Sequence, residues 1–283
     1  MRRSGRSVAE RSVSGPPWAV RVLRAGDWER TTRRREGRGW SSVEVDVEFE
    51  EPLEEAVLLR RYKRFLADVR LADGSERTVH VANPGSMKGL VREGGRCWIR
   101  DARDPRRKLS HSLELVEVDG ECVVVNTARG NALAGEAIAA GVLGPGGGTG
   151  MVPAEVRAEQ RIGASRLDFL LTWEDGRRTW CEVKMVTLAE PPVAMFPDAV
   201  TSRGLKHLEE LMALHDPQAG ELAALLLVVA RGDCERFSPA REIDPAWSAG
   251  LERAVTAGVD VVVVDCAVSP ERVVPRTRLP LEM

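Results

Sequence analysis

Nine consecutive apolar residues, Leu222 to Ala230, constrain the fold of this chain more than any other stretch. The run is less than half the roughly 20 residues that a membrane-spanning helix needs, so it has to be buried within protein. A short run without polar alternation suits a strand covered on both faces, and such strands belong to parallel sheets flanked by helices. The valine-rich stretch Val259–Val264 repeats the pattern. Between the two, Asp244 can cap a helix reaching about Ala257. Upstream, Asp198 can cap a helix through Leu214, in which Leu205, Leu208, Leu211 and Met212 make one apolar stripe. Leu167–Trp173 and Thr179–Leu188 flank Glu174-Asp-Gly-Arg177 as the arms of an antiparallel hairpin, and Pro153–Ile162 reads as a helix with proline in its first turn. The predicted order is helix, strand, strand, helix, strand, helix, strand. That is an α/β (α+β) domain built on a mixed sheet.

The first half has a different rhythm. Val43, Val45, Val47 and Phe49 alternate with acidic residues, the period of a half-buried strand. Further strands are predicted at Ala56–Leu59, Phe65–Leu71, Arg77–Val81 and Cys97–Arg100, with Asp73-Gly74 and Asp119-Gly120 as hairpin turns between β-rich runs. Regularly spaced short strands predict a small barrel. A short helix carrying Leu133, Ala137 and Ile138 follows, and then the glycine run Gly144–Gly150. No Gly-Lys-Ser/Thr closes that run, so it is read as a flexible connector rather than a phosphate loop. Two domains, 42–126 and 127–283, fit the 283 residues at about 150 per domain.

Residues 1–41 carry 11 Arg against four acidic residues and no sustained apolar period. They read as a disordered basic tail, because they bury too little to offset the entropy of ordering. The whole chain is nevertheless at −2, so any affinity for nucleic acid has to come from a local patch. Five cysteines without a Cys-x-x-Cys pair argue against a disulfide scaffold and a structural zinc site. With no apolar leader, the expected compartment is the cytoplasm. Only five lysines stand among 36 arginines, a skew that coding bias toward arginine usually produces, and the lysines are the positions to examine for a required compact ammonium.

One of them lies in Trp180-Cys-Glu-Val-Lys-Met-Val186. On a strand, Glu182 and Lys184 share a face while Cys181, Val183 and Met185 take the other. Asp168 sits inside the apolar partner arm, and at a suitable register it converges with Glu182. Two carboxylates at that separation repel unless a cation intervenes, and oxygen ligands beside a phosphate favour Mg²⁺, with Mn²⁺ as a substitute. Such an ion activates water for attack on a phosphodiester, with Lys184 stabilising charge in the transition state. An acid on the helix ahead of the hairpin, Glu159 or Glu155, would complete the shell.

The chain resembles the sugar fermentation stimulation protein family (SfsA). The stretches that carry the resemblance are Arg61-Tyr-Lys-Arg-Phe-Leu-Ala-Asp-Val69, His80-Val-Ala-Asn-Pro-Gly-Ser-Met87, Ser165-Arg-Leu-Asp-Phe169, Glu182-Val-Lys184, Phe196-Pro-Asp-Ala-Val-Thr201 and Arg203-Gly-Leu-Lys-His-Leu208. They occur in order, and the similarity spans about residues 48–280. The chain departs from the family at Ala82-Asn-Pro-Gly85, where Pro-Asn-Thr-Gly is usual. The resemblance implies an N-terminal OB-like barrel, a C-terminal PD-(D/E)xK nuclease-like domain and a role in DNA binding, RNA being open. It puts Glu159, Asp168, Glu182 and Lys184 at the nuclease positions.

In that setting Arg60, Arg61, Tyr62, Lys63, Arg64 and Phe65 interleave cations with two aromatics, as an OB face does when it holds phosphates and stacks bases. Lys88, Arg203, Lys206 and His207 are further candidates for nucleic-acid contact. His80 and His111 are expected to be packed, Asn83 to serve a turn, and Trp98, Trp173 and Trp180 to be core. Two functions follow as expectations. One is a DNA-binding Mg²⁺-dependent phosphodiesterase; the other is a non-catalytic DNA-binding regulator of sugar metabolism.

Overall fold

The computed structural model describes residues 47–49, 52–163 and 165–283, so the basic tail and the alternation at Val43 and Val45 lie outside the described residues. In chain order the elements are β1 (Val47–Glu48), β2 (Glu54–Tyr62), β3 (Leu66–Leu71), β4 (Glu76–His80), β5 (Arg96–Asp101), β6 (His111–Val118) and β7 (Glu121–Val124). Then come α1 (Gly130–Ala139), β8 (Glu155–Ile162), β9 (Ser165–Thr172), β10 (Arg178–Val186), β11 (Leu188–Glu190), β12 (Val193–Phe196) and α2 (Ser202–Leu214). The chain closes with β13 (Glu221–Val229), β14 (Arg236–Pro239), α3 (Pro245–Thr256), β15 (Asp260–Val268) and β16 (Arg272–Arg278).

The first sheet runs β4-β3-β2-β5-β6-β7, and a parallel bridge from His80 to Ser112 ties β4 to β6. That bridge closes β2 to β6 into a five-stranded barrel, with β7 extending β6 outside it. The barrel is filled by alternate apolar residues, Leu58, Val69, Val79, Ile99 and Leu113 among them. Asp119-Gly120 turns β6 into β7 with φ of 55° and 89°, the left-handed pair that a two-residue hairpin requires.

The second sheet has the order β1-β16-β15-β13-β10-β9-β8, with β10, β13 and β15 parallel. The apolar run predicted as a doubly covered strand is β13. Its Ala224, Leu226, Val228 and the following Ala230 pack on the side of α1 and the barrel, while Ala223, Leu225, Leu227 and Val229 pack on the side of α2 and α3. Trp98, Leu115 and Val124 from the barrel enter the first of these cores, so the two domains share one interior. Among the described residues no helix is long and apolar enough to cross a membrane. All five cysteines are free, and burial pushes the thiols of Cys97, Cys234 and Cys266 up to about 12.

Four expectations need correcting. Pro153–Ile162 is not a helix: Glu155–Ile162 forms β8, paired antiparallel to β9. Being an edge strand, β8 carries charge on its outward positions, as edges do to avoid pairing with other chains, and those charges imitate an amphipathic helix. Val47–Glu48 pairs with β16 rather than joining the barrel, so the N-terminal strand belongs to the C-terminal sheet. Asp198 does not cap α2; Thr201 does, accepting the Gly204 N–H at 3.0 Å. The glycine run is a built loop, in which the Arg278 guanidinium donates to the carbonyls of Val142, Gly147 and Gly148.

Candidate active site and nucleic-acid interface

The β9–β10 ladder runs from Thr172–Arg178 to Phe169–Cys181 and stops there. A backbone N–H left without a partner at this point needs an acceptor, and Asp168 supplies one. Its Oδ2 accepts from Val183 N at 2.9 Å, and its Oδ1 accepts from Asn131 Nδ2, at the start of α1, at 3.0 Å. Glu182, on β10, reaches His207 of α2 and is almost wholly buried. Its Oε1 meets both Lys184 Nζ and His207 Nδ1, while its Oε2 is buried with no hydrogen-bond partner among the described residues. Lys184 Nζ also lies 3.2 Å from His207 Nδ1, and Arg203 Nε donates to His207 Nε2 at 3.4 Å. A proton on Nδ1 facing Glu182 leaves Nε2 to accept from Arg203, and Lys184 Nζ, a donor only, then bonds to Glu182 and not to the ring.

The two acids are pushed apart in proton affinity. Burial, and then the negative charge of Glu182, raises Asp168 above the ordinary aspartate range. Burial also pushes Glu182 up, but the His207 hydrogen bond and the Lys184 charge outweigh it and hold the group below the usual value. One buried acid that resists ionisation beside one that is held ionised is a common feature of catalytic carboxylate pairs.

Glu159 does not join them. It stands across from Asp168 on β8, between the pairs Ala158–Phe169 and Gln160–Leu167, and its φ of 58° breaks the ladder there. Its carboxylate is spent on Arg166 Nη1 at 2.5 Å, and Glu155 likewise pairs with Arg157 at 2.9 Å. The helix expected to carry this acid is a strand, β8. Among the described residues no three His, Cys, Asp or Glu side chains group as a metal cluster. Two carboxylates, one with an unsatisfied buried oxygen, still fit a hard cation that keeps most of its own waters.

On the barrel, the cationic run divides into structural and exposed members. Arg61 is spent on carbonyls, donating to Arg64, Asn83, Gly85 and Ser86, and Arg64 Nε donates to Pro84 O. Arg60 pairs with Asp68 at 2.8 Å over the Tyr62 ring, and Tyr62 donates its hydroxyl to the same carboxylate. Lys63 and Arg64 form the β2–β3 turn with φ of 48° and 66°, a left-handed conformation that costs energy without glycine. Lys63 is exposed there, and Phe65 is 41% exposed beside His80, with ring centroids 6.5 Å apart. Lys88 is exposed on the loop after β4.

That loop touches the second domain. Ser86 Oγ donates to Asp198 O at 2.7 Å and Met87 N donates to Asp198 Oδ2 at 2.9 Å. A Cβ at Gly85 would lie 2.5 Å from that carboxylate, so only glycine allows the approach. Asn83 is buried and closes its own turn, accepting from Gly85 N at 2.9 Å and donating to Val125 O at 3.0 Å. A cleft between the domains is bounded by Asn83 and Pro84 on one side and by Asn131, Lys184 and Arg203 on the other.

Lys206 donates to Ser165 Oγ at 2.9 Å on the β8–β9 turn. His207, expected at a phosphate or in water, is buried against Glu182 instead. The sequence reading missed its role, along with those of Asn131 and Asp198, because none of them carries a local pattern that names its partner.

Two family models match the chain. The SfsA N-terminal OB domain covers residues 59–125, and the sugar fermentation stimulation protein RE domain covers residues 128–272. A sugar fermentation stimulation protein homolog of Chelativorans sp. (strain BNC1) is 44% identical over 236 residues, 83% of this chain and 99% of that protein. Its counterpart in Thioalkalivibrio sulfidiphilus (strain HL-EbGR7) is 47% identical over 230 residues, 81% of this chain and 94% of that protein. The solved structure of Pyrococcus furiosus SfsA in complex with Ca²⁺ superposes with a TM-score of 0.73 at 25% identity, covering 84% of this chain and 98% of that one.

Proposed function

This chain belongs to the sugar fermentation stimulation protein family, and from that premise we propose that it binds DNA and that its C-terminal domain is a Mg²⁺-dependent phosphodiesterase. The observation that supports the reading is that Asp168 binds the backbone N–H of Val183, the residue between Glu182 and Lys184, while one carboxylate oxygen of Glu182 is left unsatisfied. A pure binder of polyanions gains nothing from two buried acids beside the path of a phosphate. The Pyrococcus furiosus relative was solved with Ca²⁺, and Ca²⁺ and Mg²⁺ both take oxygen ligands.

Asp168 and Glu182 would hold the cation, Mg²⁺ or Mn²⁺. When bound, it supplies a polarised phosphoryl oxygen and a water of lowered pKa. The side chains do the rest. Asn131 and the Val183 N–H fix Asp168, so that its carboxylate needs no reorganisation during the reaction. His207 fixes Glu182 from the side of α2. Lys184 lines the interdomain cleft and offers its ammonium to charge developing on the phosphate. Glu159 has no part in this reading. On the barrel, Lys63 and Phe65 offer the exposed cation and ring that a stacked, single-stranded segment uses.

The test is incubation of the purified protein with labelled single- and double-stranded DNA and with RNA, in Mg²⁺ or in chelator. Cleavage is expected in Mg²⁺, and a loss of at least about a hundredfold in Asp168→Asn and Lys184→Met. Cleavage that persists in both variants removes the site from these residues. Metal-independent binding without any cleavage leaves the non-catalytic regulator.

A further inference from the structure

On the far side of His207 from the interdomain cleft lies a second cleft, lined by Arg161, Ser165, Arg166, Arg203, Lys206 and His207. It gathers four permanent cations from the β8–β9 hairpin and α2 in a chain whose net charge is −2. Arg61 and Arg278, by contrast, are spent on backbone carbonyls of the fold. The Arg161 side chain has no ion pair or hydrogen bond among the described residues, and the Arg166 side chain is 58% exposed and pairs with Glu159. Lys206 reaches Ser165 Oγ at 2.9 Å and Glu210 at 3.5 Å from an exposed position. Glu159 and Glu210 offset part of this charge, and the four cations still leave a net positive group that repels itself.

The cleft is continuous with the carboxylate site. His207 lines it and hydrogen-bonds Glu182, and Arg203 lines both this cleft and the interdomain one that holds Lys184. We infer that a polynucleotide strand passing Lys184 and the two carboxylates continues over the β8–β9 hairpin, where Arg161, Arg166 and Lys206 hold its phosphodiester groups. Guanidinium groups match phosphate oxygens in pairs, and contacts to phosphate carry no sequence information. The contribution is therefore independent of nucleotide sequence. This inference rests on the reading that the ligand is a polynucleotide, and it adds the path of the strand and the residues that hold it.

The experiment uses the full chain in chelator, so that nothing is cleaved, with short fluorescein-labelled single- and double-stranded oligonucleotides of several sequences. Arg161→Ala/Arg166→Ala is expected to bind all of them about tenfold more weakly at moderate salt. The slope of log affinity against log salt should flatten by about 1.4 to 1.8, two phosphate contacts at roughly 0.7 to 0.9 each. Arg161→Lys/Arg166→Lys, which keeps the charges, should keep the slope. Both positions lie on the surface, and an unchanged melting temperature confirms that the variants are folded. An alanine variant with wild-type affinity and slope overturns the path while leaving the DNA-binding reading intact. A wild-type protein that binds none of the oligonucleotides overturns both.

Discussion

Asp168 and Glu182 are the same chemistry in opposite settings, and the difference is a matter of a few neighbouring atoms. Asp168 has two N–H donors but no cation in contact, so burial and the charge of Glu182 dominate and raise it. A carboxyl raised in the folded state opposes folding once the pH passes the ordinary aspartate value, because ionising it costs more in the folded protein than in the unfolded chain. Asp168→Asn should therefore raise the melting temperature in chelator at neutral pH. The gain should shrink to nothing as the pH falls below the ordinary aspartate range, where both side chains are neutral. A variant that melts below wild type at neutral pH would mean that the two donors favour the anion more than burial opposes it. The pairing of Glu182 with Lys184 was legible from strand alternation alone. The pairing of Glu182 with His207 was not, since it spans 25 positions and two elements and has no periodicity.

Among the elements, several with local signals were read correctly, although the cap expected at Asp198 belongs to Thr201. The turns at Asp73-Gly74 and Asp119-Gly120, the buried strand β13 and the cap at Asp244 follow from backbone conformation, burial on two faces and one side-chain hydrogen bond. β8 was misread because its charges answer to its place at the sheet edge, and a strand does not record that place in its own residues. Asp244 does more than cap α3. Its Oδ1 accepts from Trp247 N at 3.0 Å and its Oδ2 from Thr201 N at 2.7 Å, which joins the starts of α2 and α3 through one buried carboxylate. Asp244→Ala removes a cap and strands a second donor, so it should cost about 2 to 3 kcal/mol in urea denaturation. Thr201→Ala, which loses only the cap on Gly204, should cost about 1 kcal/mol. Equal losses in the two variants would show that the link between the helices contributes nothing.

At the scale of the whole molecule, the barrel and the large sheet are fastened in three ways. Trp98, Leu115 and Val124 sit in the core shared with α1. The Asp198 carboxylate holds the loop at Ser86 and Met87. Glu114, fully buried on β6, accepts from Arg100 Nε at 2.9 Å, from Arg129 Nε at 2.6 Å and from Asn126 Nδ2 with both oxygens. Arg129 in turn lies over the Phe49 ring, beside the strand that joins the C-terminal sheet. Glu114→Ala leaves buried donors and guanidinium groups without an acceptor, and it should destabilise the protein by about 3 to 5 kcal/mol. Because the core is shared, fluorescence and circular dichroism should still follow a single transition. Separate transitions for barrel and sheet in the wild-type protein would contradict that account.

The sequence determined whatever depends on near neighbours along the chain: a barrel of short strands, a mixed sheet with two doubly covered strands, and an acid and an ammonium on one face of β10. Tertiary structure alone decided which acids meet. The ladder ends beside Asp168, which satisfies the backbone N–H left there, and Glu159 meets Arg166. Hydrogen-bonding and charge satisfaction are settled by which groups come within about 3 Å in space, and separation along the chain does not specify that distance.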